Sequence, residues 1–135
     1  MTLTPVGIER VRYSRAMSRA LPLVACCAPI SRPTLSDVQA IELETLFKAL
    51  ADRHRITILN LLAQAGGEAI CVCEFTEPLG LKQPTVSYHL KLLAGAGLIL
   101  REKRGSFAYF RLADGALERL GELVAGTSPQ MAGVR

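Results

Sequence analysis

Four cysteines stand in two tight pairs, Cys26/Cys27 and Cys71/Cys73. Thiolates are soft donors that favour As(III), Sb(III), Cd(II), Pb(II) or Cu(I) over hard ions; pyramidal As(III) takes three sulfurs, whereas Cd(II) or Zn(II) accepts four. Four sulfurs leave both sets open. Cys-x-Cys is not the Cys-x-x-Cys of thiol oxidoreductases and no acid–base partner stands near it in sequence, which argues against an enzyme. Two other readings compete with ion capture: cysteines packed as small hydrophobes, and thiol oxidation as a redox signal. Cys71 and Cys73 bracket Val72 at the mouth of a short helix expected over residues 74–79. The positive end of that helix is expected to lower their thiol pKa values.

A second set of side chains suits nucleic acid. Gln83, Thr85, Ser87, Tyr88 and Lys91, with Lys82 at the entrance, put amide, hydroxyl and ammonium donors on one expected helix. Such groups read base edges and phosphates, although polar residues on a solvated helix face look the same. Lys103 and Arg104, at an expected hairpin tip, suit the DNA backbone or minor groove; the plainer reading is a charged turn that keeps a sheet edge soluble. His89 neighbours Val86, Leu90 and Leu93 on the helical wheel, so a half-buried structural histidine and a phosphate contact both stay open.

The elements that must position these groups follow from pattern. A chain of 135 residues suits one domain, and a core of Leu, Ala, Ile and Val with few aromatics favours helices. Net charge of +4 and a pI near 9.1 are compatible with nucleic acid without establishing it. Ser36 caps a helix carrying Ile41, Leu43, Leu46, Phe47 and Leu50; Asp52 caps a second, ended by Gly66-Gly67. A strand is expected over 69–72, then the short helix to Gly80, then a helix from Gln83-Pro84-Thr85 to Gly95-Ala96-Gly97. Two β-prone runs, 98–101 and 107–112, flank the polar loop 102–106 as a hairpin, and a last helix begins near Asp114. The expected fold is α+β: a mainly helical winged helix-turn-helix with a β-hairpin wing. Residues 1–34 are expected as a flexible arm, 35–126 as the winged-helix domain and 127–135 as a disordered tail. The wide apolar faces of the first and last helices predict a twofold homodimer.

At the N-terminus, Arg10, Arg12, Arg15 and Arg19 precede a short apolar run ending at Cys26, superficially like an export signal. Arg19 and Pro22 interrupt it below the roughly 7 to 15 apolar residues a signal core needs. No run approaches the roughly 20 apolar residues of a membrane helix. The expected location is cytoplasmic, with no membrane partner, and Met17 is an alternative start.

Leu46-Phe47-Lys48-Ala49-Leu50-Ala51-Asp52, followed by Arg55 and Ile58-Leu59, and then the run from Leu81 to Leu93 resemble the ArsR/SmtB family of metal-sensing repressors over about residues 40 to 125. Lys82 stands where the family commonly has serine, and Tyr88 where it often has histidine. Ile70-Cys71-Val72-Cys73-Glu74 resembles the thiolate box of the family's arsenical and cadmium or lead sensors. In the three-cysteine version a third thiol follows three residues after the second; here that position is Thr76, leaving Cys26 and Cys27 to supply further sulfur. The resemblance implies an arsenical-repressor-like protein that binds a double-stranded inverted-repeat operator and is released by As(III) or Sb(III), with Cd(II)/Pb(II) or thiol oxidation as alternatives. The family's other site, zinc on the final helix, is discounted because residues 114–125 contain no histidine. A winged helix that binds only protein remains the other alternative.

Overall fold

The computed structural model describes residues 23–125. The earlier part of the expected arm, Met17 and the expected 127–135 tail lie outside the described residues. The elements are α1 (Leu23–Cys26), α2 (Asp37–Leu50), α3 (Arg53–Gln64), β1 (Ile70–Cys71), a 3-10 turn (Val72–Glu74), α4 (Thr76–Leu79), α5 (Gln83–Gly95), β2 (Ile99–Arg104), β3 (Phe107–Leu112) and α6 (Ala116–Ala125).

Local chemistry explains where the helices begin and end. Ser36 Oγ accepts from Gln39 N–H at 3.1 Å while Gln39 Oε1 accepts from Ser36 N–H at 2.9 Å, a reciprocal box that closes the first turn of α2. Asp52 Oδ1 accepts from the N–H groups of His54 and Arg55 at 2.8 and 3.3 Å, capping α3. Gly80 ends α4 at φ 67, ψ 29, a left-handed conformation that glycine adopts without the Cβ penalty. Pro84 lies in the first turn of α5, where its missing N–H has no helical partner to lose. The short helix expected over 74–79 is instead a 3-10 turn followed by one α-turn.

The sheet is antiparallel in the order β1-β3-β2. Arg104 pairs with Phe107, so the hairpin turn is only Gly105-Ser106 and strand pairing runs through most of the expected loop. Gly105 at φ 63 supplies the positive φ that a tight two-residue hairpin needs. Lys103 and Arg104 therefore sit in β2, not in a loop.

Leu46 of α2, Ile58 and Leu62 of α3, Val86, Leu90 and Leu93 of α5, Phe75 and Leu98 are fully buried in one cluster with Phe110 of β3 and Leu123 of α6. The segment before α2 belongs to this packing from residue 24 onward. Val24 and Cys27 are buried, Val24 N–H donates to Ala96 O at 3.1 Å, and Ile30 N–H donates to Leu123 O at 3.0 Å.

Phe75 is the largest fully buried side chain among the described residues and joins the 3-10 turn to α4. Phe75→Ala is expected to lower unfolding free energy by about 3–5 kcal/mol, whereas Ile56→Ala, more than half exposed on α3, changes it by less than about 0.5 kcal/mol. Urea unfolding checks both; equal losses would contradict this packing.

Candidate thiolate site and nucleic-acid interface

Cys71 ends β1 and Cys73 sits in the following 3-10 turn, a geometry that returns the chain and sets their Sγ atoms 2.7 Å apart. Cys73 N–H donates to Cys71 Sγ at 3.4 Å. Cys71 is buried and Cys73 exposed, so one sulfur is anchored while its neighbour meets solvent. A tetrahedral ion with bonds of about 2.3 Å holds two sulfurs about 3.8 Å apart, so rotation that opens the pair by about 1 Å lets both bind one ion.

The Cys73 thiol is pushed above its ordinary value, first by its hydrogen bond with Cys71, then by burial and by the neighbouring Cys71 and Glu74 charges. This overturns the expected lowering at Cys73. Two adjacent sulfurs resist ionising together, and the helix meant to supply a dipole is one turn long. Ion capture at the pair must displace thiol protons and weakens as pH falls. Thr76 Oγ1, at the position of the absent third thiol, donates to Cys73 O at 3.1 Å and holds the turn.

The other cysteine pair lies elsewhere. Cys27 is 1% exposed, and the Cys26 side chain lies outside the described set. Arg119 of α6 reaches back to this segment: Nε donates to Val24 O at 3.3 Å and a terminal NH2 to Cys27 O at 2.8 Å, while the other nitrogen pairs with Glu122 at 2.9 Å. Among the described residues, ligand atoms of three or more His, Cys, Asp or Glu converge only at Asp52, His54 and His89. Cys27 thus does not join Cys71 and Cys73 within one chain; of the three described sulfurs, two are brought together.

The nucleic-acid set is sorted by α5. Val86, His89, Leu90 and Leu93 are buried on one face, which leaves Gln83, Thr85, Ser87, Tyr88 and Lys91, with Lys82 before the helix, exposed on the other. Between α5 and the hairpin lies a cleft of about 570 Å³ bordered by Gln83, Ser87, Lys91, Arg101, Lys103 and Ser106, with no acidic residue in its lining. Three cations and two hydroxyls around a groove match a phosphate backbone. Arg101 was not among the expected residues; its signal was register, because alternate residues of a strand share a face and Arg101 stands two before Lys103.

Arg104 is already engaged. It bonds Glu102 at 2.9 Å and lies 4.5 Å over the Tyr109 ring. Glu102 also accepts from Arg111 at 3.2 Å, and hydrogen bonds from Arg104 and Arg111 hold its carboxyl below the usual range. His89 is buried and shares a 2.9 Å hydrogen bond with Arg55, so the geometry corresponds to the structural histidine of the two open readings.

Residues 52–100 match the family model described as bacterial regulatory protein, arsR family. The chain is 45% identical over 71 residues to the arsenical resistance operon repressor of Bacillus subtilis, the match spanning 53% of this chain and 66% of that repressor. It is 37% identical over 79 residues to a helix-turn-helix transcriptional regulator of Methanocaldococcus jannaschii, covering 58% of this chain and 86% of that protein. Among solved structures, the AntR antimony-specific transcriptional repressor is similar at TM-score 0.55 and 29% identity, over 72% of this chain and 84% of that one. A homodimeric winged helix-turn-helix DNA-binding domain from Mycobacterium bovis matches at TM-score 0.53 and 29% identity, over 77% and 96%.

The Arg119 contacts bear directly on thiol access. In a chain whose only cysteine is Cys27, Arg119→Ala is expected to raise the rate of Cys27 modification by a disulfide reagent about tenfold or more, the effect of losing hydrogen bonds worth about 1 kcal/mol each. Unchanged kinetics would show that Arg119 does not hold the segment.

Proposed function

The chain belongs to the ArsR family of bacterial transcriptional regulators, and on that premise we propose that it is a homodimeric repressor whose operator is released when As(III) or Sb(III) binds cysteine thiolates. The observation that carries the reading is the pair of sulfurs 2.7 Å apart on the turn that enters the helix-turn-helix α4–α5. An ion seated there acts on the support of the reading helix without covering its DNA face. The arsenical and antimony repressors among the similar proteins support this choice of ion; Cd(II) or Pb(II) is the alternative for the same sulfurs.

Pyramidal As(III) needs a third thiolate, and Cys26 or Cys27 supplies it. Because the described Cys27 lies apart from the pair, the segment either leaves its contacts with Arg119 or reaches a partner subunit. α6 exposes Leu117 and Val124, an apolar edge suited to a second copy, and the Mycobacterium bovis relative is homodimeric. In a dimer the two α5 helices would lie about 34–36 Å apart and meet an inverted repeat. Gln83, Thr85, Ser87 and Tyr88 face base edges; Lys82, Lys91, Arg101 and Lys103 neutralise phosphates.

Binding the ion more tightly in the DNA-free arrangement is what drives release. Coupling of about 1–3 kcal/mol is common, while a near-complete switch needs about 5.5 kcal/mol of preference. Drawing the 24–30 segment off α6 supplies two arrangements of one element on which such a preference can act. The role is binding, without turnover, and its place is the cytoplasm beside the DNA; among the described residues no helix is long and apolar enough to cross a membrane.

The test is a titration of the reduced protein on a labelled inverted-repeat operator with As(III), Sb(III), Cd(II), Pb(II) and Zn(II). As(III) and Sb(III) are expected to weaken binding at least tenfold, while Cys71→Ser, Cys73→Ser and the double variant Cys26→Ser/Cys27→Ser stay bound. Release by Cd(II) and Pb(II) alone would move the assignment to those ions, and release only by peroxide would make the site a redox sensor. On the same DNA, Lys103→Ala is expected to lower the slope of log affinity against log salt by about 1; an unchanged slope would remove Lys103 from the phosphate contacts.

A further inference from the structure

Arg55 is nearly buried at the start of α3 and spends its guanidinium on three acceptors of two other helices. Nε donates to Ala49 O at 2.7 Å and one terminal nitrogen to Lys48 O at 3.2 Å, both carbonyls of the last turn of α2. Carbonyls there are the ones a helix leaves short of partners; Lys48 O also accepts from Ala51 N–H at 3.3 Å. The remaining terminal nitrogen lies 2.9 Å from His89 Nδ1 on α5. A guanidinium has no acceptor, so it must donate, and Nδ1 must offer a lone pair: the ring is neutral with its proton on Nε2.

We propose that Arg55 and His89 are positioning residues for DNA reading: through neutral His89, Arg55 ties the end of α2 to the reading helix, and operator binding fails when the imidazole takes a proton. The proposal rests on the assignment of α5 to the DNA face.

The surroundings of His89 make this a switch. Asp52, His54 and Arg55, all from the corner between α2 and α3, are the charged or titratable groups acting on it; the His54 ring lies 5.6 Å away and that of Tyr88 5.7 Å away. Burial, followed by the Arg55 and His54 charges, depresses the imidazole below its ordinary 6.5 against the opposing pull of Asp52. Because the folded value is depressed, the tie is fully present above about 6.5 and is lost as pH falls through the lowered value. Asp52 stays ionised across that window. Burial would raise its carboxyl, but the N–H groups of His54 and Arg55 and the nearby charges outweigh it and hold it below 3.8. Protonated His89 has no acceptor at Nδ1 and sets a second cation against Arg55, so the contact opens and α5 loses its link to α2. The same geometry argues against a metal ion at Asp52, His54 and His89: Asp52 already caps α3, and Arg55 occupies His89 with positive charge.

Asparagine places an amide oxygen where Nδ1 stands and cannot be protonated in this range. With His54→Asn in every protein, so that His89 alone titrates, operator affinity between pH 8 and pH 5 is expected to fall at least tenfold with His89 present. For His89→Asn it should fall by no more than about twofold. In the DNA-free protein, amide resonances of α5 should move with the His89 titration and stay still in His89→Asn. Should His89→Asn fold poorly, Arg55→Lys takes its place: a single ammonium nitrogen cannot reach acceptors that meet three different nitrogens of the guanidinium, so binding at pH 8 is weakened and the coupled amide shifts are lost. An equal fall in affinity for both proteins, or α5 resonances that ignore the titration, overturns the proposal. Moving resonances with no DNA binding at any pH would instead uphold the tie and remove α5 from the DNA face.

Discussion

Burial of Val86, Leu90 and Leu93 sets the rotation of α5, and most of the functional geometry depends on it. With that stripe packed against the core, the helical repeat leaves Gln83, Thr85, Ser87, Tyr88 and Lys91 on the opposite face. A helix held by apolar contacts alone can slide or roll at small cost, because such contacts are not directional. Arg55 adds direction: its bonds to Lys48, Ala49 and His89 index α5 against α2.

In the proposed mechanism the sulfur pair acts on the same element through the turn and short helix that precede it. Cys71 belongs to a strand paired with β3, Cys73 to the turn that leads through Phe75 into α4, and α4 runs through Gly80 into α5. An ion that changes the spacing of the two sulfurs alters a turn with only a few residues between it and the DNA reader. Arg119 keeps the Cys27 segment on α6. In the proposed mechanism, then, the ligand set is completed by moving a segment already packed on the apolar edge where two subunits would meet.

Helices α2, α3 and α5 were legible in the sequence because periodic leucines, a capping serine or aspartate, Pro84 and the closing glycines all agree on their limits. The hairpin was legible as a hairpin, but its turn length was not: only pairing shows that Glu102 stands opposite Tyr109 and Arg104 opposite Phe107. The arm was misjudged over residues 24–30 because its lack of periodicity says nothing about a partner 92 residues away, Arg119. His89 could not be assigned from the helical wheel because the group that decides it, Arg55, stands 34 residues upstream. The Cys73 pKa was misjudged for a related reason: the neighbouring thiol outweighs a one-turn helix.

The central claim is that the sulfur pair at the entrance to the helix-turn-helix takes a third thiolate from the Cys26/Cys27 segment when it captures its inducer. The most direct measurement is X-ray absorption at the arsenic edge of the As(III)-loaded wild-type protein beside the double variant Cys26→Ser/Cys27→Ser. The account predicts three sulfur neighbours in the wild type and two sulfurs with one lighter atom in the variant. The same coordination in both proteins would contradict it.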